Sequence, residues 1–373
     1  MELSLFKGKD AVVMKKMLSA ALAALLLSSV FSFVAFASSA EYPLLREEVR
    51  IRDPFVLVYE GKYYMYGTGL KWNGYGCVVS EDLERWSEPR QVFEAPVGFD
   101  GVGDWWAPEC HYYNGGFYLF ATYRSAASGK RGTAIFRASS PLGPFTLLSD
   151  GHVTPKYRDC IDGTLYVDEA GQPWIVYVGE WTSNEDSVGV MCAAMLSADL
   201  SHMTSEPITL FRATDAKWAS GHITDGPFVY RSQTGRLLML WSNGSGTGYA
   251  VGIAQSVNGK ITGRWTHKCQ PLYQKDKNHS YDGGHGMLFT DLNGRLRMAI
   301  HAPNTATDDR FETAEFILVT DLGFTLAPDE GPAQYSAALE KLSRFIRTVY
   351  HRFEVLTTGF RRFVSSFGGG YCA

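Results

Sequence analysis

The 373-residue chain has no CxxC and no HExxH spacing, which removes the usual sequence signatures of a structural zinc or a zincin-type centre. Its six cysteines, Cys77, Cys110, Cys160, Cys192, Cys269 and Cys372, form no short-spaced framework. Mostly buried free thiols with at most one or two bridges are expected. Charge of one sign is missing too: 35 basic residues face 39 acidic ones, with no long single-sign run before the C-terminus. That balance argues against a nucleic-acid partner held by phosphate neutralisation. No helix-period segment of any length interrupts residues 50–320. The one long apolar run, Leu18 to Ala37, follows the basic pair Lys15-Lys16 and ends in the small-x-small sequence Ala35-Phe36-Ala37. Residues 1–40 therefore read as a secretory signal, with Met14 as a possible true start; an uncleaved membrane anchor is the alternative. A secreted or periplasmic protein is expected, membrane-anchored if that segment stays in place.

What is abundant points one way. Aromatics make up 14% of the chain and glycine numbers 38, which suits many short strands joined by tight turns and surfaces that stack on sugar rings. Five segments share one plan of polar turn, alternating strand, Gly-containing reversal and aromatic-rich second strand. They are RDPFVLVYEGKYYMYGTG, WAPECHYYNGGFYLFATYR, IDGTLYVDEAGQPWIVYVGEW, TDGPFVYRSQTGRLLMLWSN and DGGHGMLFTDLNGRLRMAIHAPN. Their starts recur at intervals of about 54 to 63 residues, the length of a four-stranded propeller blade with its loops. The expected fold is all-β, a five-bladed β-propeller over residues 41–330, followed by a C-terminal tail over 331–373. The tail is basic and aromatic, with helical spacing of Leu339, Leu342, Phe345 and Ile346, and reads as an appended helix that continues no blade.

In a propeller the first residues of each innermost strand face one common mouth. Asp53, Asp162, Asp225 and His285 are expected at equivalent positions there, in blades one, three, four and five, while blade two offers Trp105, Trp106 and Glu109. Arg52 adjoins Asp53, and Arg297 is expected to point toward the channel. An Asp before Gly or Pro is ordinarily a turn-former. It is the repetition in equivalent places that makes a site the better reading.

The stretches IRDPF, WWAPE, CIDGTLY, TDGPFVY and YDGGHGMLF, in this order, resemble glycoside hydrolase family 43 and its five-bladed relatives acting on arabinan and xylan. The resemblance covers roughly Arg50 to Pro303. It implies an inverting mechanism with three carboxylates: Asp53 as general base, Asp162 as the group that orients the acid and raises its pKa, and Asp225 as general acid. It also implies that His285 lies near the axis, beside calcium or another ion that it meets through water, and that no organic cofactor is needed. Inversion asks for an ionised base and a protonated acid about 6.5–9.5 Å apart, with a water between base and sugar. A nearby third carboxylate keeps the acid protonated by like-charge repulsion.

The acid position usually carries Glu in a Glu-Gly-Pro turn, and here it reads Asp225-Gly226-Pro227, shorter by one methylene. Three readings follow: Asp225 donates with its loop moved inward, Glu180 in VYVGEW donates instead, or the propeller binds sugar without cutting it. A retaining fructan-cleaving propeller is a further alternative, opposed by Arg52-Asp53-Pro54-Phe55 where an Asn-Asp-Pro-Asn-type stretch would stand. The expected function is removal of L-arabinofuranosyl or D-xylosyl units, arabinose first, from arabinan- or arabinoxylan-type substrates.

Overall fold

A computed structural model describes residues 41–329 and 371–372. Five antiparallel sheets of successive strands surround a central axis. Blade one comprises β1 (Arg52–Tyr59), β2 (Lys62–Thr68), β3 (Gly74–Ser80) and β4 (Arg90–Glu94). Blade two comprises β5 (Trp106–Tyr113), β6 (Gly116–Arg124), β7 (Arg131–Ala138) and β8 (Thr146–Leu147). Blade three comprises β9 (Cys160–Val167), β10 (Pro173–Gly179), β11 (Val190–Met195) and β12 (Ile208–Arg212). Blade four comprises β13 (Asp225–Arg231), β14 (Leu237–Ser245), β15 (Gly248–Ser256) and β16 (Trp265–Lys268). Blade five comprises β17 (Gly284–Thr290), β18 (Leu296–Ala302), β19 (Thr313–Asp321) and β20 (Leu326–Pro328). The five-bladed expectation holds, and between residues 50 and 320 the only helical pieces are 3-10 turns at Trp181–Ser183 and Ala213–Asp215.

The reversals follow from their residues. Glu60-Gly61 and Asn114-Gly115 are two-residue turns with positive φ at both positions, the mirror-image turn whose twist matches paired strands. Blades three, four and five instead use five-residue turns closed by the side chains of Asp168, Ser232 and Asp291, which accept backbone N–H bonds from Gln172, Arg236 and Arg295.

Strict alternation fails in the middle strands. All of Gly74–Ser80 and Pro173–Gly179 is buried, because each middle strand lies between two neighbouring blades and has no solvent face. The apolar interfaces so formed hold the ring. Tyr66, Tyr75 and Phe93 of blade one pack on Leu119 and Phe136 of blade two, and Val56 and Met65 pack on Met287 and Ala299 of blade five. Each such side chain contributes about 1.5–3 kcal/mol when fully buried. The ring closes where Arg50 bridges Thr313 and the Ile51 N–H donates to the Glu312 carbonyl at 3.0 Å.

Cys77, Cys110, Cys160 and Cys192 are free and buried within these interfaces, and burial pushes the Cys110 thiol up to about 12, so it packs as a small hydrophobe. Cys269 is disulfide-bonded. A two-residue strand, Tyr371–Cys372, pairs with β16 at the outer edge of blade four. Tyr371 and Cys372 therefore do join a blade, where the reading of the tail as continuing none did not place them. The signal segment over 1–40 and the helix expected near Leu339 lie outside the described residues.

Candidate active site

Every inner strand opens with a β-bulge. Two residues of the inner strand oppose one of the second strand between Arg52 and Phe55, Trp106 and Glu109, Ile161 and Thr164, Asp225 and Phe228, and Gly284 and Met287. The first bulged residue is left-handed in all five blades: Asp53 (φ 52°), Ala107 (41°), Asp162 (56°), Gly226 (51°) and His285 (54°). For a residue with a Cβ this costs about 1–3 kcal/mol, so the surroundings must hold it. They do so through the bulged N–H, which is accepted by a side chain of the blade before it. Ala107 donates to Thr68 Oγ1 (2.8 Å), Asp162 to Thr122 Oγ1 (3.1 Å), His285 to Ser242 Oγ (2.9 Å) and Asp53 to His301 Nδ1 (3.1 Å). Those acceptors share one second-strand register position. In blade three that position is Val178, which has no acceptor, and the Gly226 N–H instead reaches the Asp162 carboxylate at 3.1 Å.

This register corrects one expectation. Asp53, Asp162 and His285 are equivalent, but Asp225 is one residue earlier, at the position of Arg52, Trp106, Ile161 and Gly284, while Gly226 takes the bulge. A Cβ at Gly226 would lie 2.7 Å from His285 Cγ, so glycine is required for contact as well as for φ. Asp225 still reaches the mouth, from the flank.

Asp53, Asp162, Asp225 and His285 together line a cavity of about 330 Å³, with Arg52, Trp106, Glu180, Trp181 and Tyr249 around them. His285 Nδ1 stands 3.2 Å from Asp53 Oδ1 and 3.8 Å from Asp162 Oδ2. Burial alone would neutralise His285, but Asp53 and Asp162 outweigh it and lift the ring to about 10, an imidazolium at neutral pH. Burial would likewise raise Asp53; His285, with lesser help from Arg52, holds it below the ordinary carboxylate range. Thr68 Oγ1 also donates to Asp53 Oδ2 at 2.7 Å.

Asp225 is pushed the other way. Burial first, and the negative charge of Asp162 second, raise it to about 8, while Tyr249 donates to its Oδ2 at 2.9 Å. Asp162 rises less, to about 6, chiefly by burial and against the pull of His285. One mouth thus holds an ionised carboxylate, a protonated one and a third between them. This is the separation of pKa values that acid–base chemistry on a neutral substrate requires.

The remaining expected residues divide. Trp106 walls the cavity, but Trp105 turns into the blade interface against Tyr75, Phe99 and Tyr123, with ring centroids 5.5–6.0 Å apart. Glu109 is buried one layer below the mouth and pairs with His111 Nε2 at 3.1 Å, so it does not line the cleft. Arg52 lines it, yet its guanidinium bonds Asn304 and pairs with Glu312 at 3.5 Å, acting on Asp53 only through its charge. Arg297 bonds Asp291 at 2.7 Å in the hairpin at the opposite end of blade five and does not reach the mouth.

Glu180 faces the cavity, but Arg131 takes both of its oxygens, Nε to Oε2 at 2.8 Å and Nη2 to Oε1 at 2.7 Å. Arg131 also bonds Asp104 at 3.2 Å and lies 5.1 Å from the centre of the Trp106 ring. Arg131→Leu strands a buried carboxylate and unseats Trp106, so a stability loss of about 3–5 kcal/mol is expected in urea denaturation. A change below about 1 kcal/mol would show that the pair is not what holds this wall.

Among the described residues no group of three or more His, Cys, Asp or Glu side chains is arranged to hold a metal ion. The axial ion implied by the resemblance would meet His285 through water, and no step below is routed through it. Tyr249, Thr68, His301, Trp181 and Arg131 were not singled out from the sequence. The trace of the bulge-accepting side chains was a polar residue at or near the end of an apolar second strand in four of the five blades: Thr68, Thr122, Ser242 and His301.

Three carboxyl groups and an imidazolium at one end of a five-bladed ring define a propeller equipped for acid–base chemistry at its axis. The family model described as Glycosyl hydrolases family 43 matches residues 43–321, and the chain belongs to that family. Among solved structures it is similar to the endo-arabinase from Bacteroides thetaiotaomicron VPI-5482, at 37% identity and a TM-score of 0.68, covering 75% of this chain and 97% of that one. Among curated proteins it is similar to the extracellular endo-alpha-(1->5)-L-arabinanase 1 of Bacillus subtilis (strain 168), 27% identical over 45% of this chain and 54% of the relative. A second is the extracellular exo-alpha-(1->5)-L-arabinofuranosidase of Cellvibrio japonicus (strain Ueda107), 27% identical over 36% and 42%. The chain thus spans about half the length of the curated relatives it matches.

Proposed function

We propose that this protein is a secreted glycosidase that hydrolyses L-arabinofuranosyl linkages in arabinan-type chains by single displacement with inversion. The observation that carries the reading is one cavity lined by Asp53, with His285 Nδ1 3.2 Å away, and by the buried Asp225, bonded to Tyr249 and beside Asp162, surroundings that favour the ionised form of the first and the protonated form of the second. Water approaches the anomeric carbon from the Asp53 side and gives its proton to that carboxylate as the C–O bond breaks. Asp225 delivers its proton to the departing oxygen, so the leaving group departs as a neutral alcohol. Asp162 keeps Asp225 protonated by repulsion and holds the acid loop through the Gly226 N–H. Exchange with solvent then returns the proton from Asp53 to Asp225 for the next cycle.

Arabinose is favoured because the relatives named above are described as arabinanases and an arabinofuranosidase, and secretion because the curated ones are described as extracellular. Against a propeller that merely holds sugar stands the acid itself: Asp225 is raised, bonded and at the cavity wall despite its shorter side chain. The purified protein is expected to release arabinose or short arabino-oligosaccharides from α-1,5-arabino-oligosaccharides, with the new reducing end appearing first as the β anomer by proton NMR. A first-formed α anomer would establish retention and overturn the single-displacement mechanism; no product from arabino-, xylo- or galacto-oligosaccharides would overturn the glycosidase reading.

A further inference from the structure

The acid of this protein is short, and one tyrosine stands where the missing reach must be made good. Tyr249, near the start of β15, donates its phenol O–H to Asp225 Oδ2 at 2.9 Å. The ring is buried, its backbone N–H is held by Asp282 Oδ2 at 3.0 Å, and its carbonyl accepts the Gly283 N–H at 3.2 Å. One face stacks on His301, with centroids 5.7 Å apart and planes at 26°. Against the ring lies Gly284, where a Cβ would come within 2.2 Å of it. A residue with any side chain at 284 would displace the phenol.

These contacts fix a proton. A protonated carboxyl has one O–H donor and one carbonyl-type oxygen. The phenol is held neutral chiefly by burial, and in this bond its O–H donates to Oδ2. Oδ2 therefore serves as acceptor, and the acid's own proton is left to Oδ1. His301, on the other side of the ring, is neutral because burial lowers it to about 4, which lets Nδ1 accept the Asp53 N–H. One aromatic ring is therefore wedged between the mounting of the acid and the mounting of the base.

We propose that Tyr249 is the positioning residue of the acid, seating the short Asp225 side chain and confining its transferable proton to Oδ1, with Gly284 as the recess that lets the ring reach it. The proposal rests on the reading of Asp225 as proton donor. Tyr249→Phe keeps the ring and removes the bond. On arabino-oligosaccharides kcat is expected to fall about 10-fold or more with KM nearly unchanged, whereas an aryl arabinofuranoside with a good leaving group, which needs little protonation, stays within about 2-fold of wild type. Gly284→Ala, which keeps the hydroxyl but moves the ring, is expected to give the same pattern.

An infrared readout needs no turnover. In mildly acidic buffer the protonated carboxyl band that Asp225→Asn removes is expected to move to higher wavenumber in Tyr249→Phe, as a carbonyl that loses a donor does. If the wild type proves inactive, the functional reading fails while this band still decides whether the bond exists. Equal losses of kcat on both substrate types, or a band that does not move, would overturn the proposal.

Discussion

Asp53→Asn is expected to lower hydrolysis of arabino-oligosaccharides and of aryl arabinofuranosides alike, each by about 10²–10⁴-fold. The uniformity follows from the role: water must be deprotonated whatever group departs, so a good leaving group offers no escape from loss of the base. Asparagine is the informative replacement. It tolerates the left-handed backbone that residue 53 adopts, φ 52°, whereas a bulkier or branched side chain would add strain to the test. His285 keeps Asp162 as a partner at 3.8 Å, so the imidazolium is not left without a counter-charge. Circular dichroism and the denaturation midpoint are therefore expected to stay near wild type. Retention of more than about one-tenth of the activity on both substrate types would remove Asp53 from the base position.

The blades were legible because their signals are local. A Gly at each reversal, a polar turn before each inner strand and a repeat of blade length can each be read without knowing what packs on what. Asp53, Asp162 and His285 were legible for the same reason: each opens an inner strand, and repetition singles it out. The offset of Asp225 was not. TDGP and RDPF each set an Asp ahead of a Gly or Pro, and only strand pairing shows that Gly226, not Asp225, is the bulged residue.

Side chains that act across blades were harder still. Tyr249 reads as one more aromatic in a strand of blade four, and its value comes from Gly284, which is 35 residues away in the sequence. The two tryptophans of WWAPE look interchangeable in sequence, yet Trp106, which opens the inner strand, faces the cavity and Trp105, just before it, packs in the blade interface. Glu180 looked like a free carboxylate at a strand end because its partner, Arg131, belongs to another blade. Burial of the middle strands on both faces also hid their alternation.

Asp225→Asn is expected to separate substrates that Asp53→Asn does not. Loss of the acid matters in proportion to how poor the leaving group is, so arabino-oligosaccharides should lose about 10²–10⁴-fold and an activated aryl arabinofuranoside far less. The pH profile gives the same assignment by a second route. A proton donor works in its protonated form, and Asp225 is raised to about 8. For the wild type, kcat/KM should hold on the acid side of that value and fall as pH rises through it. In Asp225→Asn the residual activity on the activated substrate should lose that limb, because asparagine has no proton to release there. Asp162→Asn supplies the control on cause: without its negative charge the largest charge influence raising Asp225 is gone, and the limb should move to lower pH rather than vanish. A limb unchanged in Asp225→Asn would assign the ionisation to another group, and equal losses on both substrates would show that Asp225 does not protonate the leaving oxygen.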